Sequence, residues 1–204
     1  MERIKQFKNN RKPKNIISDQ DFKRLLNNID TTKFSEFRDY VVIQLIMDTG
    51  ERIFECLATL IDNVDLDRRA ILIPQEIAKG RKDRYVFYSQ SMSRLLRRWI
   101  QYKDRYTESE LLFCTKSGTQ IQVPNFEKNF RKYCDRINLQ NITIHGIRNN
   151  YARRFLLAGG DIYTLSRLLG HSSVTVTEKA YLDLSDEDIR KQYQKFSPLE
   201  NMKK

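Results

Sequence analysis

Histidine is nearly absent from this chain: His145 and His171 are the only two in 204 residues. Cysteine is scarce as well. Cys56, Cys114 and Cys134 are odd in number, far apart and without metal-ligand spacing, so neither a disulfide framework nor a zinc site is expected. No apolar run approaches the ~18 residues of a membrane span, and no signal-peptide pattern opens the chain. The expectation is a protein of the reducing cytoplasm with no membrane partner. Internal repeats and low-complexity segments are missing too. Acidic residues are common, yet no Asp/Glu cluster stands near the two histidines, so a carboxylate-bound metal is not expected there.

Positive charge is what the chain has in excess. Lys and Arg number 37 against 26 Asp and Glu, a net charge of +11 with a pI near 9.6, which suggests a polyanionic partner. Residues 1–17 hold +5 of it, six Lys/Arg against Glu2, and with Pro13 they read as a basic linker or arm. The folded part should begin at Ser18, a helix cap with Asp21 three residues on, followed by Phe22, Leu25, Leu26 and Ile29 at helical spacing. A chain of 204 residues buries a real core, most simply as one domain.

Both histidines fall between His145 and Tyr181. His145 and Arg148 are three apart and share a helical face; Ile147, Tyr151, Phe155 and Ala158 continue the period until Gly159-Gly160 stops it. Asp161 then caps a helix with Ile162, Leu165 and Leu169, closed by Gly170. A sharp turn must precede His171. Ser172 and Ser173 suit the start of a further helix, whose ~1.5 Å rise per residue leaves Tyr181 within reach of the same pocket rim.

Upstream, Tyr40–Met47 is apolar on nearly every face and reads as a buried central helix ending at Asp48-Thr49-Gly50. Arg52 and Glu55 follow at the start of another helix. Alone, such a pair is ordinarily a solvated ion pair. Ala70–Pro74 and Arg84–Tyr88 are β-prone runs around Lys79-Gly80-Arg81-Lys82-Asp83, a small hairpin. Further helices are expected at Met92 to Trp99, at Phe126 to Ile137, and at Asp186 to Phe196, where Ile189, Tyr193 and Phe196 form one stripe.

Taken in order, these stretches resemble the tyrosine recombinase (phage-type integrase) family. Thr49-Gly50-x-Arg52-x-x-Glu55, Lys79-Gly80-x-Lys82-x-Arg84, His145-x-x-Arg148, Leu169-Gly170-His171 and Tyr181, ten residues after His171, match its boxes over about residues 18–184. The resemblance implies an α+β fold, mostly helical with a small antiparallel sheet. It also implies catalytic roles for Arg52, Glu55, Lys79, His145, Arg148, His171 and Tyr181; as basic residues of the same hairpin, Arg81, Lys82 and Arg84 are candidates to grip the DNA backbone. Double-stranded DNA is the implied partner, bound by a homotetramer, and neither metal nor ATP is required. Family members usually carry a helical core-binding domain ahead of this one and pass a terminal helix, here within residues 185–204, to the adjacent protomer. The chain has no room for that domain, so it is expected to be an excised catalytic domain with residues 1–17 as linker, or a short relative.

The residue types fit such chemistry. Attack on a phosphodiester builds charge on its non-bridging oxygens and needs the leaving oxygen protonated. Arg52 and Arg148 offer planar donors for paired phosphate oxygens, Lys79 a general acid, and Tyr181 a nucleophile that needs cationic neighbours, since its phenol pKa is ordinarily ~10. A type IB topoisomerase and a catalytically silent DNA-binding regulator are the competing functions. Supercoil relaxation distinguishes the first and covalent trapping the second.

Overall fold

The computed structural model describes residues 16–171 and 186–202. Helix α1 (Asp19–Asn27) begins at the expected cap, with the Ser18 hydroxyl accepting the Asp21 N–H at 3.0 Å. Helix α2 (Phe34–Thr49) is the axis of the domain: Val41, Val42, Ile43, Leu45 and Ile46 are all buried, as a helix apolar on every side must be. Gly50 ends it with a left-handed φ of 68°, and a Cβ there would meet Tyr151 Cδ1 at 2.2 Å. Glycine is therefore required twice, for conformation and for space. Helix α3 (Ile53–Ala58) restarts the chain directly afterwards, which places Arg52 and Glu55 against the end of the buried axis.

The sheet has three antiparallel strands in the order β1 (Val64–Asp65), β2 (Ala70–Ile73) and β3 (Arg84–Phe87). The β2–β3 register pairs Ile71 with Val86 and Ile73 with Arg84, so those four side chains share the face turned to the core. Two strands are legible from the sequence; β1, two residues long, has no alternation to read.

Helices α4 (Gln90–Lys103), α5 (Val123–Asp135) and α6 (Ile144–Leu157) wrap the axis. Trp99 on α4 is fully buried, donates Nε1–H to the Leu112 carbonyl at 2.8 Å and packs on Phe34, Phe37 and Phe113. Each buried side chain of this size stabilises the fold by roughly 1.5–3 kcal/mol. Helix α7 (Ile162–Leu169) docks on α6 through a second cluster of Ala152, Leu156, Leu165 and Leu169. That cluster brings the turn carrying His171 back beside α6.

Helices α8 (Asp186–Phe196) and α9 (Pro198–Asn201) form the tail. Arg153 pairs with Asp188, and Lys195 donates to the Ala158 carbonyl at 2.9 Å, so α8 is held at the end of α6. Its apolar stripe is largely exposed, with Ile189 54%, Tyr193 65% and Phe196 56% exposed. The expected helix start at Ser172-Ser173, and Tyr181 itself, lie outside the described residues.

Candidate active site

Arg148 sits one turn into α6, whose start is fixed by Thr143 accepting the Gly146 N–H at 3.0 Å. Its guanidinium is buried and donates to the Gly50 carbonyl at 2.6 Å, the Leu169 carbonyl at 2.9 Å and His171 Nε2 at 3.1 Å. One side chain thus ties together the ends of α2 and α7 and the His171 ring. A guanidinium can only donate, so Nε2 of His171 accepts and the ring proton resides on Nδ1. Burial and the charges of Arg148, Arg52 and Arg84 push the His171 pKa down to about 4, leaving the ring neutral at pH 7. Burial also lowers Arg148, helped by Arg52, but a guanidinium stays cationic at neutral pH. His145 is solvent-accessible on the first turn of α6. Partial desolvation and the nearby Arg148 and Arg52 charges lower its pKa too.

Arg52 completes the cationic cluster. Its Nη2 donates to the Gly170 carbonyl at 3.2 Å, its Nη1 to Glu55 Oε1 at 3.0 Å, and its backbone N–H to Glu55 Oε2 at 3.1 Å. Arg52 and Arg148 therefore converge where the Gly50 and Gly170 turns meet. Lys79 is exposed in the β2–β3 turn and lines a cleft of 710 Å³ together with Arg52, Glu55, Phe54 and Arg81. The turn approaches the other residues closely: a Cβ on Gly80 would lie 3.8 Å from the Gly170 carbonyl. Arg81 and Lys82 are exposed on the same turn.

The matches to known proteins agree in kind. Residues 15–188 match the model of the phage integrase family, most of the chain's length. The chain belongs to the phage integrase family. Tyrosine recombinase XerC of Leptospira interrogans is 26% identical over 171 residues, covering 83% of this chain and 54% of that protein. XerD of Staphylococcus haemolyticus is 26% identical over 195 residues, covering 90% and 62%. The chain thus spans a little over half of the length of the curated relatives it matches. Among solved structures, XerA recombinase superposes with a TM-score of 0.75 at 27% identity, covering 89% of this chain and 65% of that one. A lambda integrase tetramer bound to a Holliday junction shares the fold at 15% identity, with a TM-score of 0.62 over 78% of this chain and 47% of that one. The α+β fold, mostly helical with one small sheet, is that of the tyrosine recombinase catalytic domain.

Two integrase-domain residues have places that the sequence reading did not assign. Arg84, a DNA-contact candidate by resemblance, has its side chain 11% exposed and grips Glu55, Nη1 to Oε1 at 3.1 Å and Nη2 to Oε2 at 2.5 Å. The strand period carries the signal: Arg84 and buried Val86 lie on one face of β3, opposite Ile73 and Ile71. The second is Glu51, fully buried and within the electrostatic reach of Glu55, Arg84 and Arg148, with no hydrogen-bond geometry to its carboxyl oxygens among the described residues and the Cys56 thiol as polar neighbour. Its position beside the turn glycine offers no pattern to read.

Burial pushes the Glu51 carboxyl up to about 8, so it is a neutral acid at pH 7. The folded state then holds a proton that the unfolded chain, with a carboxyl pKa of about 4.3, releases. Stability contributed by this group is complete below that unfolded pKa and falls by about 1.4 kcal/mol per pH unit as pH rises toward 8. Glu51→Gln removes the slope. Its stability relative to the natural chain should rise steadily from pH 5 to pH 8 in urea denaturation, and a gap independent of pH would contradict the assignment.

Proposed function

We propose that this chain is the catalytic part of a site-specific DNA recombinase, cutting and rejoining strands through a 3′-phosphotyrosine on Tyr181. The reading is supported above all by the convergence of Arg52, Arg148 and His171, from three separate segments, on the adjoining Gly50 and Gly170 turns. Such a cluster is a preorganised receptor for the oxygens of one phosphate, whose growing negative charge it stabilises without reorganisation. The start of α6 adds backbone N–H groups and a favourable dipole next to His145.

In the cleavage step the Tyr181 oxygen bonds to phosphorus as the bond to the 5′ oxygen breaks. Neutral His145 takes the phenolic proton, and Lys79, across the cleft, gives one to the departing 5′ oxygen. A 5′ hydroxyl from another strand reverses the step, so bond energy is kept in the covalent link. Arg52 and Arg148 supply the charge stabilisation, and the mechanism calls on neither a metal nor ATP. Arg81 and Lys82 grip the duplex backbone beside the turn. The full assembly is a tetramer on DNA, in which the exposed stripe of α8 packs on the adjacent protomer.

Trapping on a nicked suicide substrate tests this. Tyr181→Phe removes only the nucleophilic oxygen and should bind DNA within about 3-fold of the natural chain while losing all covalent complex. Undiminished trapping by that variant would sink the assignment.

A further inference from the structure

The site holds a buried ion pair, Arg84 with Glu55, that takes no part in the proposed chemistry. We infer that Arg84 is a positioning residue, which occupies the Glu55 carboxylate so that the Arg52 guanidinium stays available to the phosphate. The inference rests on the recombinase reading given above.

Glu55 is buried with its side chain 1% exposed, and two guanidiniums compete for it. Arg84 takes both oxygens in a bidentate fork, at 3.1 and 2.5 Å, whereas the Arg52 side chain makes a single bond, Nη1 to Oε1 at 3.0 Å. A bidentate arginine–carboxylate pair is the stronger and more directional of the two arrangements. Arg84 therefore holds the carboxylate and Arg52 is only steadied by it. The exposures agree, since the Arg52 side chain is 23% exposed and that of Arg84 11%. Without Arg84, the Glu55 carboxylate keeps Arg52 as its hydrogen-bond partner among the described residues, through the backbone N–H to Oε2 and Nη1 to Oε1, and can draw the Arg52 fork inward.

Arg84 also joins elements. Its Nε lies 3.4 Å from the Leu168 carbonyl, and a Cβ on Gly170 would come within 2.8 Å of that nitrogen. Through Glu55 and Gly170, the base of the Lys79 hairpin is thus pinned to α3 and to the turn that carries His171. The charged groups facing Glu55 are Arg52 at the start of its own helix, Arg84 from β3 and Arg148 from α6, with the titratable but neutral Glu51 next to the Gly50 turn. Burial raises the Glu55 carboxyl, yet the Arg84 hydrogen bonds and charge, followed by those of Arg52, bring it below the usual carboxylate range.

The test uses Arg84→Met, which keeps much of the packing, with Glu55→Gln as a second substitution. Arg84→Met should slow single-turnover covalent-complex formation by about 10- to 100-fold at pH 7.5, with duplex affinity changed less than about 3-fold and an unaltered salt slope. Adding Glu55→Gln to Arg84→Met should recover at least about 10-fold of the rate, because the carboxylate that captures Arg52 is then gone. A merely structural arginine predicts the opposite, a double variant as slow as the single or slower. A salt slope reduced by about one would identify Arg84 as a direct phosphate contact and overturn the inference. Carbon-13 titration of the Glu55 carboxyl in the free protein reads the pairing without any cleavage. Its midpoint should rise in Arg84→Met, and an unchanged midpoint overturns the inference whatever the chain cuts. A natural chain that shows the expected Glu55 pairing yet never forms an adduct contradicts the recombinase reading instead.

Discussion

Arg148→Lys should lower the rate of covalent-complex formation by about 10²–10³-fold, the usual cost of removing one preorganised donor from a phosphoryl or acyl transition state. Charge is conserved in this change, so the loss measures geometry. The guanidinium reaches the Gly50 carbonyl, the Leu169 carbonyl and His171 Nε2 from one rigid plane. A lysine ammonium is a flexible point charge and cannot satisfy the three at those angles. The carbonyls left short of a partner add a stability cost of about 1–3 kcal/mol, measurable by urea denaturation. Single-turnover trapping at a saturating concentration of folded protein separates the two effects. A lysine variant that cleaves at nearly the natural rate would show that the Arg148 fork is structural only.

Lys79→Ala carries the second large effect, a slowing of about 10²–10⁴-fold on an ordinary phosphodiester if this lysine protonates the leaving 5′ oxygen. The placement is consistent with that role. Lys79 is exposed, lines the cleft shared with Arg52 and Glu55, and stands next to Gly80, where an added Cβ would lie 3.8 Å from the Gly170 carbonyl. A substrate with sulfur at the 5′ bridging position leaves as a thiolate without a proton, so the variant should regain most of its rate there. Equal defects on both substrates would move the acid to Lys82 or elsewhere.

Much of this architecture is legible in the sequence because periodicity and punctuation are strong where the elements are long. Ser18, Thr49-Gly50, Gly159-Gly160, Asp161 and Gly170 mark element ends by cap and turn chemistry, and the structure places boundaries at each. Arg148 and His171, 23 residues apart, are brought together by two such turns, which a one-dimensional reading can follow. Long-range pairing is less accessible. The Arg84–Glu55 fork spans 29 residues and depends on strand register, and alternation in a four-residue strand shows a face but not a partner. Glu51 is harder still, because a glutamate after a turn glycine is ordinarily solvated, and its complete burial is a property of the three-dimensional fold alone. The α8 stripe was visible in its helical spacing, whereas its exposure follows from docking through the Asp188 and Lys195 edge.

The most direct test of the central claim is to digest the trapped complex of the natural chain, formed in the presence of a metal chelator, and locate the DNA by mass spectrometry. The account predicts an adduct on the peptide containing Tyr181, joined to a 3′ phosphate, with a free 5′ hydroxyl on the other DNA end. An adduct on a different residue, a 5′ linkage, or cleavage that stops when metal is removed would contradict it.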